Sequence, residues 1–216
     1  MTILYSNGCS YTANFDLSAD QRYPKIIADR LGWDCLQGAE PGSCNSRIIR
    51  TTIADCLKLK SQGQDIVSLI QLSHIHRTEY PFDKNPLPDP FFSIKIVDTI
   101  PAPPEARQYA DFYWRLHTDR HILINLLTGL IGLVSFFNQE KIKYQIFLGP
   151  CEGDLFKVIA DDLRLEFLKQ DINVLDLEKF YMLELTKTPK QHPTPEDMQK
   201  ISDYFYDRII RLCEPA

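Results

Sequence analysis

A serine and a histidine near opposite ends of the chain have the chemistry of a nucleophile and its base. Ser10 lies in ILYSNGCSYT (3–12), where Gly8 interrupts an apolar run of strand type. A serine hydroxyl is a weak nucleophile unless a base accepts its proton. His192 lies two residues before Thr194, the predicted cap of the last helix, where the helix dipole disfavours imidazolium. We therefore predict Ser10 as the nucleophile and His192 as the general base.

Acyl transfer by such a pair also needs hydrogen-bond donors that stabilise the oxyanion. Gly42, in GAEPGSCNSR (38–47), can present its backbone N–H just before a predicted helix. The backbone N–H of Ser10 and the side-chain amide of Asn45 are further candidates. These three residues are the predicted oxyanion donors.

Strand-like and helix-like segments alternate along the chain, so the candidate residues fall in loops. The predicted strands are 2–6, 33–37, 65–72, 143–149 and 172–177, and the predicted helices are 23–31, 45–59, 107–137 with a break near 118–121, 154–169 and 194–213. This order predicts an α/β fold, a three-layer sandwich with a central, mainly parallel five-stranded sheet. The working site of such a sheet lies at the carboxyl ends of its strands.

The composition suits one domain spanning residues 1–216. The chain is 44% hydrophobic and has a formal net charge of -5. It therefore lacks the basic excess that nucleic-acid binding requires, and we predict no nucleic-acid partner. A proline-rich segment at about 80–106 predicts an insertion after the third strand, with a short edge strand, that serves as a binding wall or is merely decorative.

Three blocks resemble the SGNH (GDSL-type) hydrolase superfamily, in particular the intracellular or phage-type members that open with Gly-Cys-Ser-Tyr/Phe-Thr. GCSYT resembles the block that holds the nucleophile, GAEPGS the block with an oxyanion glycine, and HPTPEDMQKISDYF the end of the block that supplies the base. Their order agrees over nearly the whole chain. The resemblance implies a flavodoxin-like fold with Ser10, Gly42 and His192 in those three roles.

The sequence departs from the family pattern at three positions. Cys9 replaces an aspartate, at a position that we interpret as structural. The third block's Gly-x-Asn-Asp is missing, which leaves Ser73, His74 and Asn45 as candidates for the side-chain oxyanion donor. Pro189 stands where an aspartate should orient the base. The base could then act in a Ser-His dyad, or a carboxylate from another loop, such as Glu79 or Asp16, could orient it.

Further residues are candidates for contact with a substrate. Arg77 could bind an anionic group of the substrate or pair with Glu79. His74 and His76 show no third ligand nearby, so no metal and no cofactor are predicted. The full set of possible substrate-binding residues is Ser73, His74, Arg77, Cys9 and Tyr11.

The N-terminus has no signal-peptide pattern, and six widely separated cysteines read as reduced thiols, so we expect a cytoplasmic protein. The apolar window 122–137 is shorter than the roughly 20 residues of a membrane span and predicts a buried helix rather than a membrane partner.

The leading hypothesis is a serine hydrolase or acyltransferase that acts on a small-molecule ester, thioester or related acyl bond. The alternative is a catalytically impaired SGNH-like binding or scaffold protein. A nucleotide-binding protein is disfavoured because the first loop lacks a glycine-rich phosphate motif. The oligomeric state is left open.

Overall fold

The computed structural model describes residues 1–81, 91–95, 104–149, 174–175 and 192–214. Its strands are β1 (Thr2–Asn7), β2 (Asp34–Gln37), β3 (Asp65–Leu72), β4 (Arg77–Pro81), β5 (Phe91–Lys95), β6 (Lys143–Leu148) and β7 (Val174–Leu175). Its helices are α1 (Ser10–Ala13), α2 (Tyr23–Leu31), α3 (Asn45–Ser61), α4 (Pro104–Leu116), α5 (Asp119–Gln139) and α6 (Pro195–Cys213), with a 3-10 turn at Ala19–Gln21.

The central sheet has the strand order β2-β1-β3-β6-β7, and all of its pairings are parallel. From β1 the chain passes to β2, on one side of β1. From β2 it crosses to β3, on the other side of β1. Such a change of direction opens a crevice at the carboxyl ends of the neighbouring strands. The crevice of this sheet therefore lies where β1 and β3 end, beside the loops that carry Ser10 and Ser73.

Successive side chains of each strand point to opposite faces of the sheet and pack into two separate hydrophobic cores. Ile3 and Tyr5 of β1 face a cluster with α3 and α5, whereas Leu4 faces a cluster with α2 and α6. Because both faces of the sheet are covered, its central strand β3 is buried from Ile66 to Leu72. The predicted α/β sandwich with a mainly parallel sheet is confirmed.

Local sequence patterns predicted the bounds of several helices and strands correctly. The predicted helix 23–31 and strand 65–72 have the observed bounds, and α6 begins with the expected capping box, in which Thr194 and Asp197 bond each other's backbone N–H groups. The predicted helical stretch 107–137 is two helices, and the predicted break near 118–121 is confirmed, because Thr118 caps α5 through its side chain. Of the predicted fifth strand only Val174 and Leu175 lie in the described residues, and the predicted helix 154–169 lies outside them.

Two further segments bear on the sequence predictions. Strands β4 and β5 pair in antiparallel fashion as a separate two-stranded sheet, residues 104–106 of the predicted insertion begin α4, and residues 82–90 and 96–103 lie outside the described residues. Helix α5 is long and apolar enough to cross a membrane by length and composition alone. Eight of its residues are nevertheless buried, and several of them belong to the core with α3. Within the described chain it is a core helix.

Candidate active site

The loop after β1 places Ser10 at the first position of the short helix α1. Cys9 is extended, and its carbonyl accepts hydrogen bonds from the N–H groups of Thr12 (3.0 Å) and Ala13 (2.9 Å). Gly8 allows the sharp turn, because a Cβ at this position would lie 2.6 Å from Thr12 Oγ1 and 2.8 Å from the Cβ of Gln71. Ser10 itself is half-buried. The turn therefore depends on a glycine directly before the Cys9-Ser10 pair.

A buried polar network lies beneath this turn. Thr12 Oγ1 donates to Gln71 Oε1 at 2.6 Å, so its single proton is used and the Tyr23 hydroxyl, 2.8 Å away, donates to it. Gln71 Nε2 donates to Cys9 Sγ at 3.4 Å. Burial raises the pKa of Tyr23 well above its ordinary value, so the phenol stays protonated. The network holds α1 to the end of β3.

Sequence reasoning did not identify this network. The sequence feature that indicates the network is Gln71, a glutamine in the otherwise apolar end of the strand DIVSLIQL (65–72). Gln71 is fully buried. A buried amide needs hydrogen-bond partners, so its position predicted a nearby polar cluster, although not the identity of that cluster.

His192 lies beside the loop that follows α1. Its Nδ1 is 3.5 Å from Asp16 Oδ2, and its ring meets the Tyr11 ring edge to face at a centroid distance of 5.8 Å. The side-chain amide of Asn14 donates to the carbonyl of Pro193 at 2.8 Å and ties the two loops together. Of the two carboxylates considered from the sequence, Asp16 is therefore the one that reaches the histidine.

Glu79 pairs elsewhere. Its Oε1 lies 2.6 Å from Nη2 of Arg50, so the alternative of an Arg77–Glu79 pair is wrong. Arg77 instead donates from Nη1 to the carbonyl of Ser43 at 3.1 Å and to the hydroxyl of Ser73 at 2.7 Å. Arg77 thus joins the loop after β2 to the loop after β3.

The loop after β2 lies against the nucleophile turn. The N–H of Glu40 donates to the carbonyl of Gly8 at 3.3 Å, and the Ser43 hydroxyl donates to the carbonyl of Glu40 at 2.8 Å. Gly42 has a φ of 81°, a left-handed conformation that favours glycine. Buried Arg47 braces the loop through an ion pair of 2.8 Å with Glu40. Gly42 is therefore held in the loop that approaches Gly8.

Asn45 joins α3 to the end of β3. Its Nδ2 donates to the carbonyl of Ser73 at 2.9 Å, and its Oδ1 accepts from the N–H of Ser73 at 2.7 Å. Both residues are buried. One N–H of the Asn45 amide is committed to this clamp, and its role as an oxyanion donor stays a prediction.

The remaining predicted residues take varied positions. Cys9 is only 3% exposed, so its thiol lies in the protein interior. His74 is half-buried, and His76 is exposed with Nδ1 at 4.0 Å from Asp119 Oδ1. Across the described ranges, no group of three histidine, cysteine or acidic residues could hold a metal ion. The five cysteines that the structure describes are all free thiols.

A cavity of about 270 Å³ lies between α3, α5 and the connection from β3 to β4. Asn45 and Arg77 belong to its wall, together with apolar side chains of α3 and α5. The cavity therefore includes two residues that hold the loops after β2 and β3 in place.

Comparisons with known proteins agree with this architecture. No protein-family model and no curated protein matches the sequence. Among solved structures, the chain is similar to the psychrotrophic esterase EstA from Pseudoalteromonas sp., in a structure inhibited by monoethylphosphonate, with 16% identity, a TM-score of 0.56 and 98% of each chain covered.

Two further structures show the same likeness. A member of the lipolytic protein G-D-S-L family from Veillonella parvula DSM 2008 is 9% identical, with a TM-score of 0.52 over 98% of this chain and 100% of that one. A carbohydrate esterase whose active site displays divergent catalytic and non-catalytic binding functions is 13% identical, with a TM-score of 0.55 over 97% and 68%. The protein therefore has the SGNH fold of G-D-S-L-type esterases.

Proposed function

We propose that the protein is an SGNH-type serine hydrolase or acyltransferase that acts on an ester, thioester or related acyl bond. The observation that supports it most is the contact between His192 Nδ1 and Asp16 Oδ2. It supplies a carboxylate that the sequence lacks at Pro189. Because Nδ1 faces this carboxylate, Nε2 is the ring nitrogen that accepts the proton of the nucleophile.

The proposed reaction has two halves. Ser10 Oγ attacks the acyl carbonyl carbon as His192 Nε2 takes the hydroxyl proton, and the backbone N–H groups of Ser10 and Gly42 stabilise the oxyanion. The carbon–oxygen or carbon–sulfur bond then breaks, and the leaving group takes the proton from Nε2. Water or another acceptor attacks the acyl-Ser10 carbonyl, gives its proton to Nε2 and releases the acyl product, and Nε2 returns the proton to Ser10 Oγ.

Active-site labelling by a fluorophosphonate tests this proposal, since the phosphonyl group transfers only to an activated serine. We expect intact-mass labelling of the wild-type chain at one site, mapped to Ser10, and none for Ser10→Ala. His192→Ala should label at least about 10²-fold more slowly, because the base is removed. A control variant, His76→Ala, changes another histidine that is solvent-exposed and should label normally. Labelling that is absent in the wild type, or unchanged in His192→Ala, would refute the proposal.

A second candidate is a binding protein that has kept the fold but lost turnover. It is favoured by the commitment of the Asn45 amide to Ser73 and by the exposure of the Asp16 side chain, which is 50% accessible. It predicts no release of nitrophenol from short-chain 4-nitrophenyl esters above the Ser10→Ala background. Turnover that depends on Ser10 and His192 would exclude it.

A further inference from the structure

The two arginines that line the cavity between α3 and α5 differ in how their charge is compensated. Arg50 has the carboxylate of Glu79 at 2.6 Å. Arg77 has only neutral acceptors, the Ser43 carbonyl and the Ser73 hydroxyl, and both lie on Nη1. The described residues of the cavity wall include no aspartate or glutamate. The cavity therefore holds one guanidinium without a counter-charge in the described part of the chain.

The nitrogen of Arg77 that makes no hydrogen bond to the described residues, Nη2, defines the ligand chemistry. Nη1 carries two hydrogens, and its two acceptors use both. Nε is buried and has no hydrogen-bond partner among the described residues. Nη2 makes no hydrogen bond within the described residues and is not one of the buried donors, so its N–H groups remain for an oxygen of a carboxylate. A half-buried cation without a counter-ion is unfavourable, so a bound carboxylate would be stabilising at this position.

The rest of the wall suits a hydrocarbon. Ile75, Ile122 and Leu126 line the same cavity and are buried. Its volume of about 270 Å³ lies just below the range of about 300–1,000 Å³ that is typical of ligand pockets. A ligand of this site must therefore be short, apolar along its body and charged at one end.

We propose that this cavity binds a short-chain carboxylate, with its carboxyl group on Nη2 of Arg77 and its hydrocarbon against α5. The ligand is either a free short-chain acid or the far end of an acyl substrate that carries a second carboxylate. The second of these ligands, an acyl substrate, rests on the proposed function. Arg77 links the loops of Ser43 and Ser73, and Asn45, which clamps Ser73, also lines the cavity. The cavity thus borders the loop that carries Gly42.

Calorimetric titration of the Ser10→Ala protein tests binding without any need for turnover. The probes are sodium hexanoate and its neutral counterpart hexanamide. We expect hexanoate to bind at least about tenfold more tightly, because only the anion forms the charge-assisted pair with Arg77. Arg77→Gln should abolish this preference. The absence of hexanoate binding, or equal binding of hexanoate and hexanamide, would overturn the proposal.

A second pair of variants leaves Arg77 and its two loops intact. Asn125→Trp introduces a bulky side chain into the cavity from an exposed position on α5, whereas Ser135→Trp places the same side chain on α5 outside the cavity wall. We expect Asn125→Trp to weaken hexanoate binding at least about tenfold through loss of cavity volume, and Ser135→Trp to leave it unchanged. Equal binding by both variants would place hexanoate outside the cavity and refute the proposal.

The source of the carboxylate is tested on the wild-type protein with two esters, mono-4-nitrophenyl adipate and the neutral 4-nitrophenyl methyl adipate. A higher kcat/KM for the anionic ester, lost in Arg77→Gln, assigns the carboxylate to the substrate. Equal turnover of both esters, together with hexanoate binding, assigns it to a free acid, and either result supports the carboxylate site. If neither ester is hydrolysed while hexanoate still binds, the proposed function fails and the carboxylate site stands.

Discussion

Two polar clusters at the sheet's carboxyl edge, one on each side of the sheet, differ in how they satisfy their polar groups. On the side of α2 and α6, Thr12, Gln71, Tyr23 and Cys9 bond to one another in the interior. On the side of α3 and α5, Arg77 has acceptors from the described part of the chain on Nη1 alone, and its buried Nε has none there. The first cluster bonds within the protein, whereas Arg77 of the second has a nitrogen left for an external acceptor.

This difference distinguishes polar groups that stabilise the fold from polar groups that are available to a ligand. A buried polar group with partners stabilises the fold, and one without a partner lowers stability unless a ligand supplies it. We therefore expect substitutions on the paired side to lower the free energy of unfolding, and substitution of Arg77 to change it little.

The largest effect is expected for Gly8→Ala, on the paired side. The new methyl group would collide with Thr12 Oγ1 and Gln71 Cβ, so we expect a loss of about 3 kcal/mol in the free energy of unfolding. Urea denaturation measures it. Gly132→Ala is the matched control, because a Cβ there meets nothing within 4 Å on helix α5, and alanine should stabilise the helix by up to about 1 kcal/mol. Equal stability of the two variants would contradict a close-packed turn.

The next effect is expected for Gln71→Leu, which leaves Thr12 and Cys9 without their common partner. We expect a loss of about 2 kcal/mol in urea denaturation, because buried polar atoms then lack partners. Gln145→Leu changes a half-buried glutamine on the neighbouring strand that bonds only to the next residue's carbonyl, and it should cost less. If both variants cost the same, the network does not stabilise the turn.

A smaller effect is expected for Asp16→Asn, which tests the partner of His192. We expect the rate of fluorophosphonate labelling to fall about tenfold, well below the roughly 10⁴-fold of a buried triad aspartate, because the Asp16 side chain is half exposed. Asp34→Asn, at the opposite end of the sheet, should label at the wild-type rate. An unchanged rate in Asp16→Asn would indicate that this carboxylate does not orient the base.

The smallest effect is expected for Arg77→Met, on the side of α3 and α5. Loss of two hydrogen bonds is offset by removal of an uncompensated charge, so we expect a change of less than about 1 kcal/mol in urea denaturation. Arg47→Met removes a buried arginine that pairs with Glu40 and should cost about 2 kcal/mol. A larger loss for Arg77→Met than for Arg47→Met would make Arg77 a structural residue and would remove the contrast between the two sides.

Features that depend on near neighbours were predictable. The apolar run 65–72 predicts a central strand, and the Thr194–Asp197 pair predicts a helix start, because the contacts that decide them lie within a few residues. Likewise, an apolar run broken at Gly8 predicts a turn that presents Ser10. The break between α4 and α5 was only partly predictable, since both flanking segments favour helix and one cap residue decides the boundary.

Pairings between distant residues were not predictable. The sequence suggested Arg77 as a partner of Glu79. The packing of α3 against the strand β4 instead pairs Glu79 with Arg50. The network of Gln71 is another example, since its partners come from α1 and α2. Sequence spacing carries no information on which of several chemically equivalent partners a fold brings together.

The sequence by itself determined the α/β alternation, the turn that carries Ser10 and the capped helix that follows His192, because local periodicity and backbone preference decide each of them. The tertiary structure alone decided that Asp16 meets a histidine 176 positions away and that Arg77, in the wall of a cavity, keeps Nη2 without a hydrogen bond to the described residues. Both depend on the order of strands in the sheet, which brings loops together across the whole length of the chain.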